Sequence, residues 1–77
     1  MTQPVYRFID EKMSLEKVQK LVGGYIQEVY GGNPDVQYWV NEEGLMRGLP
    51  HNEEASDLLG HPIVGPLVIL SGKSKLE

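Results

Sequence analysis

Two copies of Asn-Glu-Glu, at Asn41-Glu42-Glu43 and Asn52-Glu53-Glu54, set neighbouring carboxylates beside amides that could orient them. Such carboxylates can ligate a divalent metal, trade a proton in acid–base catalysis, or receive a basic group from a partner. His51 and His61 lie in the same span, with Asp57 and Arg47, one of the chain's two arginines. Residues 41–66 hold five of the eleven acidic residues, namely Glu42, Glu43, Glu53, Glu54 and Asp57. Most of the rest reads as scaffold, so function is expected in this stretch.

Each chemistry has a structural competitor. Glu42 and Glu43 follow a predicted strand, where successive side chains point to opposite faces and do not converge. A polar turn with Gly44 at positive φ is the favoured account of them. Asn52 followed by two glutamates is the pattern of a helix N-cap with acids complementing the dipole. His51 and His61 stand ten residues apart, without the spacing of a helical ligand pair and without an obvious third ligand. His61, just past a helix end, is explained by the negative end of the helix dipole. There is no Gly-x-Ser-x-Gly, and Gly72-Lys73-Ser74 lacks the upstream glycine of a phosphate loop. No metal, no cofactor and no enzymatic activity are expected.

Composition narrows the classes further. At 77 residues the chain makes one small domain, which buries only about 60–65% of its unfolded surface. It has no cysteine, so disulfides and thiolate chemistry are excluded. A hydrophobic fraction of 40%, with four tyrosines and one tryptophan, argues against disorder. The net charge of −4 and the lack of a basic stripe argue against direct nucleic-acid binding. No run reaches the length of a membrane span and no signal pattern opens the chain, which points to the cytoplasm. The domain is expected over residues 1–72. Residues 73–77 read as a tail with tag-derived residues at its end.

The elements that must position these groups follow one another clearly. Residues 4–9 form a first strand, with Val5, Arg7 and Ile9 on one face and Tyr6 and Phe8 on the other. Ser14 caps a short helix whose apolar stripe is Leu15, Val18, Leu21 and Val22, ended by Gly23-Gly24. Residues 25–30 and 36–41 form a hairpin around the turn cluster Gly31-Gly32-Asn33-Pro34-Asp35. Asn52 opens a second helix with Ala55, Leu58 and Leu59 inward, and Gly60 stops it. In the last strand Pro66 cannot donate a ladder bond, so the strand starts late, bulges or lies at an edge, with 67–70 as its core. The β-α-β-β-α-β order fits an α+β class: an antiparallel sheet with two short helices on one face, ferredoxin-like or a reduced variant. A sheet so thinly covered is expected to be completed by a second subunit.

The blocks Leu21-Val22-Gly23-Gly24-Tyr25-Ile26, Asn41-Glu42-Glu43-Gly44-Leu45, Gly48-Leu49-Pro50 with Asn52 and Ala55, and Pro62-Ile63-Val64-Gly65-Pro66 resemble a small family of bacterial and phage proteins. That family is known only as a domain of unknown function, number thirty-eight forty-six. The resemblance spans about residues 15–70 and implies a phage, plasmid or mobile-element origin. It implies no activity and no catalytic residue.

The expected function is that of a phage-encoded, non-enzymatic interaction protein that binds and modulates a host protein in the host cytoplasm. Glu42, Glu43, Glu53, Glu54 and Asp57 would supply the field. Trp39, unless it closes the core of so small a domain, would anchor the contact with Leu45 or Met46. Tyr25 and Tyr30 could extend the aromatic surface of Trp39. Two alternatives stay open. The chain could be an oligomeric sponge for a small host signalling molecule, read by Asn41, Arg47 and Asn52. It could also be a DNA mimic whose acids block a DNA-binding enzyme.

Overall fold

The computed structural model of the protein describes residues 3–77. The helical stripe becomes α1 (Leu15–Val22), with Val18 and Val22 buried. The Ser14 hydroxyl accepts from the Lys17 N–H at 3.2 Å, satisfying one of the donors a helix start leaves free. Gly23 closes the helix at φ 85°, where its own N–H reaches the Gln19 carbonyl. The second helix, α2 (Glu53–Leu59), repeats the device with Asn52 as cap and Gly60 at φ 76°.

Four strands, β1 (Val5–Phe8), β2 (Ile26–Val29), β3 (Gln37–Asn41) and β4 (Leu67–Leu70), make one sheet in the order β1-β4-β3-β2. The α+β class and the β-α-β-β-α-β order are those the sequence indicates. The sheet itself is mixed rather than wholly antiparallel. β3 pairs antiparallel with both β2 and β4, whereas β1 pairs parallel with β4, Val5 opposite Leu67 and Phe8 opposite Leu70. β4 starts late, immediately after Pro66, and so sits between two neighbours without losing a ladder bond.

The helices lie on opposite faces of the sheet, not on one. Met13, Val18 and Val22 pack with Val68 and Leu70, joined by Tyr6, Phe8, Ile26 and Trp39. Ala55 and Ile63 pack with Val40 and Leu67, joined by Val5, Val29, Tyr38, Leu59 and Ile69. The alternation of neighbours along β4 assigns the two clusters to its two faces. The physical reason is the run Leu67-Val68-Ile69-Leu70, apolar on both sides, which leaves each face in need of cover. With one short helix on each, no bare sheet face remains as the expected seat for a second subunit.

Residues 73–77 belong to the packing as well. Gly72–Ser74 form a 3-10 turn, Ser74 is buried, and its hydroxyl donates to the Glu11 carbonyl. Leu76 packs on the α1-side cluster, and its N–H and C=O are read by the Gln37 amide, both at 2.7 Å.

Candidate functional site

The acidic stretch begins where β3 ends. Asn41 is buried, and its side chain ties two elements together. Its Nδ2 donates to the Val22 carbonyl at the end of α1 (3.1 Å), and its Oδ1 accepts from the Glu43 N–H (2.8 Å). The chain then turns over 42–48 with bonds from Gly44 N–H to Asn41 O, Arg47 N–H to Glu43 O, Gly48 N–H to Leu45 O and Leu49 N–H to Gly44 O. The turn expected at Asn-Glu-Glu-Gly is there, but Gly44 is not at positive φ. Glycine is needed for space: a Cβ at Gly44 would lie 2.9 Å from Val64 Cγ2.

At the tip of this turn Leu45 and Met46 are 84% and 87% exposed. Glu42 beside them is exposed. Glu43 faces Arg47 at 3.5 Å across one turn, and Arg47 also donates to the Gly23 carbonyl at 3.2 Å. Arg47 thus braces the turn against the end of α1, where a cation complements the helix dipole.

The second Asn-Glu-Glu is structural at its first residue. Asn52 is fully buried, its Oδ1 accepting from the Ala55 N–H (3.0 Å) and its Nδ2 donating to the carbonyls of Gly65 (2.8 Å) and Pro4 (3.1 Å). One amide joins α2, the segment entering β4 and the start of β1. Glu53 and Asp57 are exposed, while Glu54 meets Arg7 at 3.3 Å from the neighbouring edge strand.

Trp39 does not join this group. It is half-buried on the α1 side of the sheet, its indole N–H donating to Gln37 Oε1 at 3.2 Å. Its open side borders a groove of about 830 Å³ whose charged rim mixes Lys12, Lys73 and Lys75 with Glu28 and Glu77. The acids of α2, Glu53, Glu54 and Asp57, are therefore separated from Trp39 by the sheet. Tyr25 and Tyr30, both exposed, flank β2 instead. A smaller hollow of about 280 Å³ lies on the α2 side, lined among others by Val29, Val40, Leu45 and Ile63.

His51 bridges to Val64 through the backbone, and His61 places Nε2 3.3 Å from the Tyr30 carbonyl. Among the described residues, no three His, Asp or Glu side chains gather as a metal ion would require. Nor is any described helix long and apolar enough to cross a membrane.

The sequence reading missed Gln37 and Leu76, which bond to each other and line the α1-side groove. The only signal was a polar residue at an inward strand position. It also took Asn41 for a binding group; burial at a strand end next to Gly-Gly is what gives it a structural task.

No curated protein and no solved structure matches the chain. The blocks that converge here, from Asn41 to Leu45 and from Pro62 to Val64, fall within a match over residues 1–76 to the family described as Domain of unknown function (DUF3846), and the chain belongs to that family.

Proposed function

We propose that this chain is a non-enzymatic interaction protein, encoded by a phage or mobile element and acting in the host cytoplasm. It engages a host protein through the tip of the 42–48 turn. The observation that carries this reading is the exposure of Leu45 and Met46 on a turn held by its own backbone bonds, by Asn41 and by Arg47. Two adjacent large apolar side chains on a fixed loop form an anchor whose ordering cost is already met by the fold. With Glu42 beside them and a net charge of −4, the matching surface is an apolar socket bordered by basic groups.

The sponge reading draws on Asn41, Arg47 and Asn52 as free polar groups, and all three are engaged inside the chain. The mimic reading needs a continuous acidic face, yet two of its five acids, Glu43 and Glu54, lie against arginines. The anchor reading needs neither.

The test compares the wild-type chain with a Leu45→Ser/Met46→Ser double variant as immobilised baits in host lysate. Both positions are exposed, so the variant keeps the wild-type fold and melting curve. A host protein held by the wild type should be lost from the variant, with affinity down at least about 30-fold. For that same protein, Glu42→Lys should slow association and flatten its salt dependence while changing dissociation little. Equal retention by both baits would remove the tip from the interface.

A further inference from the structure

The sheet has two free edges, and they differ in protection. β1 is preceded by Pro4, carries Arg7 and is followed by Asp10-Glu11-Lys12, the charges and proline that discourage strand addition. β2 has the sequence Ile26-Gln27-Glu28-Val29, with neither proline nor lysine, and exposed tyrosines at both ends.

Which groups β2 offers outward follows from its inner pairing. Glu42 N–H donates to the Tyr25 carbonyl at 2.9 Å, and the register continues with Gln27 opposite Val40 and Val29 opposite Tyr38. In an antiparallel ladder the residues bonding to one neighbour alternate with those facing away. Tyr25, Gln27 and Val29 therefore bond inward to β3. Ile26 and Glu28 direct their N–H and C=O to the open edge.

We propose that the occupant of this edge is a second copy of the chain, β2 pairing antiparallel with β2 about a two-fold axis at Gln27. That register sets Ile26 against the partner's Glu28 and Glu28 against the partner's Ile26, so each outward N–H and C=O finds a complement. Of the competing registers, Glu28 on the axis sets two glutamates directly opposite, and like charges in that position are destabilising. Ile26 on the axis sets Glu28 against the partner's Gly24, whose N–H is already donated to the Gln19 carbonyl within its own chain. Side-chain placement favours the same choice. With Gln27 on the axis, Tyr25 lies opposite the partner's Val29, on the α2 side of the sheet. That is the face of the hollow lined by Gln27, Val29, Val40, Leu45 and Ile63. A tyrosine that is 66% exposed in the single chain gains apolar neighbours for its ring, with Asn41, Glu42 and His61 in the same hollow within reach of its hydroxyl, twice over by symmetry. The result is one eight-stranded sheet. The interface shares Leu45 with the proposed host contact but not Met46, which lies outside the hollow, so a register read by crosslinking tests it apart from that contact.

The chain has no cysteine, so single introduced cysteines report the register without background. In the proposed dimer the two Gln27 residues form a non-hydrogen-bonded pair, with Cα atoms about 4.5 Å apart. That lies within disulfide range, about 4.4–6.8 Å. Under mild oxidation Gln27→Cys should give a disulfide-linked dimer, and Glu28→Cys should give at least tenfold less. Sedimentation equilibrium of the wild type should show a concentration-dependent species of twice 8.6 kDa. Tyr25→Lys, at an exposed position, should weaken it at least tenfold while keeping the wild-type circular dichroism spectrum. A wild type that stays monomeric into the high-micromolar range would overturn the proposal. So would Glu28→Cys crosslinking as readily as Gln27→Cys, or a dimer indifferent to Tyr25→Lys.

Discussion

Asn52→Ala should destabilise the fold by about 3 kcal/mol, read as a shift in the urea or thermal midpoint. Loss of the cap to the Ala55 N–H contributes about 1 kcal/mol. Loss of Nδ2 leaves the Gly65 carbonyl without the donor it has at 2.8 Å, a further penalty of about 1–3 kcal/mol for a buried acceptor. Pro4 O suffers less, because it also accepts from the Leu67 N–H at 3.1 Å. Asn52→Asp separates these effects. Aspartate is an equally good cap, so a purely capping role would leave that variant close to wild type. The structure requires the opposite, because a carboxylate would face the carbonyls of Gly65 and Pro4 in a fully buried position. Burial and those oxygens favour the protonated acid, which can donate where the anion cannot, so the folded-state pKa is raised. The sign follows by linkage: the variant is helped below the unfolded-state pKa, and that help is lost as pH rises through the folded one. Asn52→Asp should therefore be nearly as unstable as Asn52→Ala at neutral pH and recover toward wild type in acid. A neutral-pH stability equal to wild type would reduce Asn52 to a cap.

Features encoded within a few residues of one another were legible in the sequence. Ser14 and Asn52 as caps, and Gly23 and Gly60 as left-handed stops, announce both helices, because each device is complete within a single turn. The hairpin registers from its turn cluster in the same way. What the sequence hid depends on distant partners. Nothing local in Val5-Tyr6-Arg7-Phe8 says that it pairs parallel with β4. That β4 is central was signalled only by Leu67-Val68-Ile69-Leu70 being apolar on both faces, a pattern that also predicts a helix on each side.

The candidate site divides along the same line. Leu45 and Met46, at the tip of a turn, are where a local reading puts them. Asn41 and Asn52 look like surface amides because their partners Val22, Gly65 and Pro4 are far away along the chain. The second glutamate of each Asn-Glu-Glu meets an arginine, Arg47 for Glu43 and Arg7 for Glu54, but only the first of these pairings is local enough to see. The resemblance of the two triplets is thus one of construction: a buried asparagine fixes the backbone, and carboxylates follow it outward.

The central placement of β4 carries the other large effect. Leu67 is fully buried on the α2 side, where it packs with Val40, Ala55 and Ile63. Leu67→Ala should cost about 3–4 kcal/mol, since a well-packed leucine leaves both lost transfer energy and a cavity. A domain of this length has roughly 4–11 kcal/mol in all, so the variant should be at best marginally folded at 37 °C. Ile69 lies on the same face two residues along but is only partly buried. Ile69→Ala should therefore cost about half as much or less, because the strand end can close around the smaller side chain. The gap between the two variants reads how much of the cover on the α2 side falls on Leu67 rather than on Ile69; equal costs would mean that Ala55 and Ile63 shield both alike. In Leu67→Ala the amide protons of α2 should exchange faster than those of α1, because the cavity opens beneath Ala55 while Val18 and Val22 keep Val68 and Leu70 beneath them. Uniform loss of protection across both helices would mean that the two faces of the sheet melt as one unit, and that Leu67 supports the α1 side as much as its own.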